Sequence, residues 1–185
     1  MQPDASPPTS PDAVVSFWRE AGPARWFRKD ETFDAEFRAR FLEAHEAAAA
    51  GRLAHWEASA EGTLALLILL DQFPRNAFRG TARMFATDAQ ALQLARHALE
   101  QGFDVATPPD LRNFFYLPFT HSESLSDQEL CVRLARALDA ESLRWAEIHR
   151  DIVARFGRFP HRNALLGRET TPAEQQFLDE GGFAG

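Results

Sequence analysis

Apolar residues recur at helical spacing through most of the chain. Phe33, Phe37 and Phe41 fall four apart, and the 64–70 run, Leu-Ala-Leu-Leu-Ile-Leu-Leu, has one β-branched residue among strong helix formers. That run predicts a helix from about Ser59 to Gln72, apolar on every side and therefore central. Helix punctuation divides the rest. Ser10-Pro11-Asp12 supplies an N-cap, a proline at the first helical position and an acid in the first turn, and that helix runs to Gly22-Pro23. The helix carrying the three phenylalanines stops at Gly51. Thr87 with Gln90 reads as a capping box for a helix ending at Gly102. Thr107-Pro108-Pro109-Asp110 opens another that Pro118 closes, and Ser126 with Glu129 opens the next. Asp139 starts a helix through Trp145, His149, Ile152 and Phe156 to Gly157, and Thr171-Pro172-Ala173-Glu174 caps a last short one before Gly181-Gly182. Residues 1–9, with three prolines and no apolar pattern, read as a loose tail.

No segment reads as a strand. About eight helices joined by short links predict one all-α domain, residues 10–185, of stacked antiparallel hairpins. The tetratricopeptide signature is absent, so any likeness to that repeat is degenerate.

Composition narrows the function. A length of 185 residues with 45% hydrophobic and 25% charged residues suits a soluble globular domain. A net charge of −7 argues against a nucleic-acid binder, although Arg150, Arg155, Arg158, Arg162 and Arg168 make one stretch locally basic. Cys131 is the sole cysteine, which excludes an intrachain disulfide and a cysteine zinc site. With no long apolar run and no leader pattern, the expectation is a cytoplasmic protein without a membrane partner. No Gly-rich phosphate loop or Gly-x-Ser-x-Gly elbow occurs.

Two segments echo each other: Asp71-Gln72-Phe73-Pro74-Arg75-Asn76 and Arg158-Phe159-Pro160-His161-Arg162-Asn163. Each sets an Arg-Asn pair after a Phe-Pro step, where proline is expected to stop a helix and fix an extended exit. Asp71 would meet the negative end of a helix dipole and so needs a cation, from Arg75 or a distant arginine. His121 and Glu123, two apart in an extended stretch, could share a proton relay, or be a carbonyl-bonded histidine and a helix-capping acid. Asn76 and Asn163 could equally bond turn backbone. His45 and His149 lie on apolar stripes and read as satisfied core histidines. Lys29, the only lysine, marks a place for a compact ammonium. Metal-ligand spacing is lacking, and no cofactor is indicated.

The phrases Phe17-Trp18, Trp26-Phe27-Arg28-Lys29-Asp30, Leu70 to Asn76, Phe85-Ala86-Thr87-Asp88, Tyr116 to Glu123 and Arg155 to Asn163 resemble the bacterial family catalogued as domain of unknown function 924. The resemblance covers roughly Asp12 to Phe183 and implies a tetratricopeptide-like helical fold with no settled activity. Thr120 departs from it, standing where the family carries glutamate.

Three functions fit these residues. The first is a pocket for a small anionic ligand built from Lys29, Arg75, Asn76, Arg79, Arg158, Arg162 and Asn163. The second is a hairpin module that binds a peptide or protein and whose polar centre is architectural. The third is a hydrolase-like enzyme using His121, Glu123, His161 and Asp71 in acid–base or metal chemistry.

Overall fold

The computed structural model describes residues 9–184, so the segment 1–8, most of the expected tail, lies outside the described residues. Every regular element among them is helical. The chain divides into two compact units, one of residues 1–79 and 83–118, the other of 80–82 and 119–185.

The first unit is organised around the apolar run. Ala60–Leu67, Ile68–Gln72 and Phe73–Ala77 form one continuous rod, N-capped by the Ser59 hydroxyl, which accepts the Gly62 N–H. Leu64 to Leu70 are all buried, as their lack of a polar face requires. Gly62 lies against the Trp56 carbonyl, 2.1 Å from where a Cβ would sit, so no other residue fits there. Phe17, Trp18, Phe33, Phe37 and Phe41 of the flanking helices Pro11–Ala21 and Glu31–Ala49 pack on one another face to face and edge to face, and Phe37 meets Phe73 of the rod edge to face.

Proline does not end this rod, contrary to expectation. Its middle widens into a π-turn, Ile68–Gln72, in which the Phe73 N–H reaches the Ile68 carbonyl, and the helix continues through Pro74 to Ala77. The cause is the missing proline amide. In α register Pro74 would serve Leu70 and in π register Leu69, and it can serve neither. Side chains take over: His45 Nδ1 donates to Leu69 O at 2.9 Å and Thr87 Oγ1 donates to Leu70 O, while Arg75 donates to the neighbouring Asp71 O at 3.0 Å. His45 is thus a satisfied core histidine, kept neutral because burial lowers its pKa. Thr87 stands at the N-cap position of Asp88–Gln101 but spends its hydroxyl on Leu70, and Gln90 bonds Ala48 O, so the expected capping box does not form.

The second unit is built on a hairpin of Leu125–Ala135 and Ala140–Phe156, with Pro172–Asp179 packed on the short turn Pro160–Arg162. Asp139 caps the long helix and Gly157, in the left-handed region, ends it. Here the Phe-Pro step follows an extended Phe159, as expected. Thr171 and Glu174 form the predicted capping box. Ser126 does not open its helix, which begins after Ser124. Ile152, Val153 and Phe159 form a core flanked by Ile148, Phe156, Phe177 and Phe183.

Counting the central rod once, eleven α-helical segments occur among the described residues, against about eight expected. The excess comes from short turns such as Pro23–Trp26, Phe103–Ala106 and Pro109–Arg112. Pro118 lies within one of them, Leu117–Thr120, rather than closing a longer helix. No helix among the described residues is long and apolar enough to cross a membrane.

If Thr87 replaces the missing proline amide, Thr87→Val leaves a buried carbonyl unserved and costs about 1–3 kcal/mol, whereas Thr87→Ser costs little. Denaturant unfolding checks this, and equal stability of the valine and threonine proteins would contradict it.

Candidate functional site

The polar residues selected from the sequence fall into a network in each unit. In the first, Asp71 is 1% exposed, and Arg75 lies one turn away with Nη1 at 3.1 Å. Arg75 also holds Asp88 through both terminal nitrogens, at 2.8 and 3.0 Å, and Gln72 donates to Asp71 at 2.6 Å. Burial opposes the Arg75 charge, but the two acids outweigh it and raise its pKa. The compensation Asp71 requires is therefore local. Asn76 and Arg79 share a different acid, Asp34, at 2.7 and 2.6 Å, rather than bonding turn backbone. Lys29 sits at the surface, 72% exposed, with Glu31 at 3.9 Å.

In the second unit Glu174 plays the part of Asp34. It accepts from Arg158 at 2.6 and 2.8 Å, from Asn163 at 3.3 Å and from the Thr171 N–H at 2.8 Å. The Arg158 hydrogen bonds are the main reason its carboxyl falls to about 2. In each unit, then, the asparagine of the echo shares one carboxylate with an arginine, Arg79 in the first and Arg158 in the second.

Glu123 does not cap the helix that follows it. Its Oε1 accepts the Phe159 N–H at 2.8 Å, ahead of Pro160, and its two oxygens take both arms of Arg168 at 2.7 and 3.0 Å. Arg168 further donates to Phe159 O and to Asn163 Oδ1, at 3.1 and 2.9 Å. Burial pushes the Glu123 carboxyl up, but Arg168 and the amide outweigh it and the pKa ends below its ordinary value. Gln128, fully buried, donates to the carbonyls of Phe119, Thr120 and Ser122 and so fixes the turn bearing His121. Thr120 meets the Cys131 thiol at 2.9 Å, and burial raises that thiol's pKa, which makes it inert at neutral pH.

His161 differs from the other candidates. The echoes differ by one inserted residue between proline and arginine, and His161 is that residue. Its Nδ1 is buried with no hydrogen-bond partner. Burial, then the neighbouring Arg162, His149 and His121 push its pKa down to about 4, against the pull of Glu123, so the ring is neutral near pH 7. Arg162, 7% exposed, lays its guanidinium over the Phe159 ring at 4.5 Å. His149 bonds Trp145 O at 2.8 Å through Nδ1.

Sequence reasoning passed over Asp34, Asp88 and Glu174, the acids that hold the chosen arginines. Glu174 was legible as the third residue of its capping box, whereas Asp34 and Asp88 carry no local signal of their distant partners. No group of three or more His, Cys, Asp or Glu residues suited to hold a metal ion occurs among the described residues. A cavity of about 250 Å³ in the first unit, lined by Ala48, Leu53, Leu66, Leu70, Gln90 and His97 among others, includes none of the selected residues.

Comparison with known proteins agrees with the sequence resemblance. Residues 14–182 match the family described as bacterial protein of unknown function, DUF924. A solved structure of ATU0120 from Agrobacterium tumefaciens, described as a protein of unknown function, is similar at 54% identity and a TM-score of 0.91, over 92% of this chain and 97% of that one. No curated protein matches the chain.

The Glu174 network makes a stability claim that pH can read. Its carboxyl titrates at about 2 in the folded chain, below its ordinary 4.5, so its contribution is full above 4.5 and is lost as pH falls towards 2. Glu174→Gln should lower stability at pH 7 and flatten its dependence on pH in that window, read by denaturant unfolding from pH 2 to 7. A glutamine protein as stable as the parent at pH 7 would show that the pair is not structural.

Proposed function

The chain belongs to the DUF924 family of bacterial proteins of unknown function, and we propose that it binds a small anionic molecule in its second unit at His161 and Arg162. One observation carries this reading: a buried imidazole nitrogen, His161 Nδ1, that no protein group satisfies. A buried polar atom without a partner costs about 1–3 kcal/mol, and such atoms are retained where a ligand or a reaction uses them. Anion preference follows from charge. Arg162 is always cationic and lies close enough to disfavour protonation of His161, and with Arg168 it places two guanidinium charges beside the single Glu123 carboxylate.

The other arginines first selected for this pocket, Arg75, Arg79 and Arg158, are held by acids, which favours an architectural role for them. That same pairing supports a second reading, a hairpin module for a peptide or protein partner, for which Phe27 and Trp145 are large apolar side chains at the surface. A catalytic version is narrower. At a pKa of about 4, His161 donates or accepts a hydrogen bond near neutral pH but is a weak base, and His121 with Glu123 remains the acid–base alternative. The Leu125–Ala135 and Ala140–Phe156 hairpin is what supports a tetratricopeptide-like arrangement, and the lone buried thiol supports a cytoplasmic location. The acidic net charge favours no nucleic-acid partner.

An anion beside His161 stabilises its protonated form and raises its pKa from about 4. Sulfate, which does not itself titrate between pH 5 and 8, should therefore bind with proton uptake and raise the melting temperature more at pH 5 than at pH 8. Calorimetry in buffers of different ionisation enthalpy counts the protons. His161→Gln and Arg162→Ala should each abolish the effect. No stabilisation by sulfate at any pH, or an equal one in both variants, would defeat the anion site.

A further inference from the structure

We infer that the Phe183 ring occupies the place of an aromatic ring in the ligand, so that the class of molecule bound is a small aromatic acid. The inference rests on the anion site proposed at His161 and Arg162 and specifies what lies on the far side of the anionic group.

The Phe183 ring centroid lies 4.6 Å from that of His149, 5.2 Å from that of His161 and 6.1 Å from that of Trp145. Edge contacts dominate, at interplanar angles of 60° and 84° to the two imidazoles, and Phe159 completes the surround at 5.5 Å from His149 and 5.7 Å from His161. Three rings thus pack directly on Phe183, and Phe159 contacts both imidazoles. Planar aromatic groups suit such a frame in offset or edge geometry, whereas an aliphatic group would forgo those contacts.

Phe183 lies beyond the helix Pro172–Asp179 and only part of its side chain is covered. After Pro172–Asp179 the chain turns at Gly181, with φ of 80°, and Gly182 passes so close to Phe177 that a Cβ there would fall 2.5 Å from its carbonyl oxygen. The Gly181 and Gly182 N–H groups donate to Leu178 O and Phe177 O, at 3.1 and 2.9 Å, so Phe183 is the first residue past this turn and lies outside the helix. Its side chain is only half-buried, unlike Phe159 beneath it, which is fully buried. An aromatic acid that displaced Phe183 would set its ring among Trp145, His149, Phe159 and His161, with its anionic group towards the imidazole and Arg162.

The test compares benzoate, acetate and sulfate at pH 7 on three full-length proteins, wild type, Phe183→Ala and Phe183→Ala/His161→Gln, by calorimetry or by NMR titration. Removing the resident ring should tighten benzoate by about tenfold, the scale of an aromatic contact no longer competed for, while acetate and sulfate affinities stay unchanged. The double variant should bind none of the three. In the wild type, saturating benzoate should shift the ring resonances of selectively labelled Phe183, a measurement that stands even if Phe183→Ala folds poorly. Sulfate binding that depends on His161, with benzoate no better than acetate in Phe183→Ala and the Phe183 resonances unmoved, would overturn this inference and leave the anion site intact. Failure of all three probes on every protein would overturn the anion site and this inference together.

Discussion

A proline carries no amide hydrogen, and of the buried prolines among the described residues, Pro74, Pro118 and Pro160, the first and last lie inside the two polar networks. Each leaves peptide groups around it that the regular ladder cannot serve, and in an interior without water those groups must find side chains. At Pro74 the answer is a π-turn whose carbonyls are taken by His45, Thr87 and Arg75. At Pro160 the Phe159 N–H goes to Glu123 and the Phe159 carbonyl to Arg168. Much of the polar chemistry that the sequence advertises exists to close these two gaps.

The charges follow from the same requirement. A side chain that reaches a buried backbone group brings its charge inside, and that charge then needs a partner of its own. Arg75 serves Asp71 O and is balanced by Asp71 and Asp88, while Arg168 serves Phe159 O and is balanced by Glu123. Arginine suits the task because its planar fork holds a carboxylate with two bonds and keeps a further donor for a carbonyl. Against this background His161 Nδ1 stands out among the candidate site residues as a buried imidazole nitrogen without a hydrogen-bond partner, a condition that Trp18 Nε1 and Gln128 Oε1 share elsewhere in the fold.

Fold class was largely legible because helical spacing and punctuation are local. The Ser10, Ser59, Asp139 and Thr171 caps and the Gly22 and Gly157 stops all fall where the residues indicate. Three of the misreadings share one cause. Thr87, Gln90 and Glu123 have the right identity and spacing for local caps, but each bonds a group from seventeen to forty-two positions away, and local spacing contains no trace of that competition. Pro74 misled for a related reason: a proline ends a helix unless tertiary donors rescue the freed carbonyls, and His45 and Thr87 are such donors. The echoed Phe-Pro segments did identify the polar residues, and the insertion of His161 in the second was visible in the sequence. What that insertion does depends on burial, which is a property of the fold.

The central claim is a division of labour between the polar groups that complete the backbone and His161, which does not. Its most direct measurement is equilibrium denaturation of Glu123→Gln beside His161→Leu at pH 7. Loss of stability in the first by about 1.5–3 kcal/mol, the scale of a hydrogen bond to a charged group, with unchanged or increased stability in the second, is the result this account predicts. A His161→Leu protein destabilised as much as Glu123→Gln would contradict it, because His161 would then be one more member of the structural network.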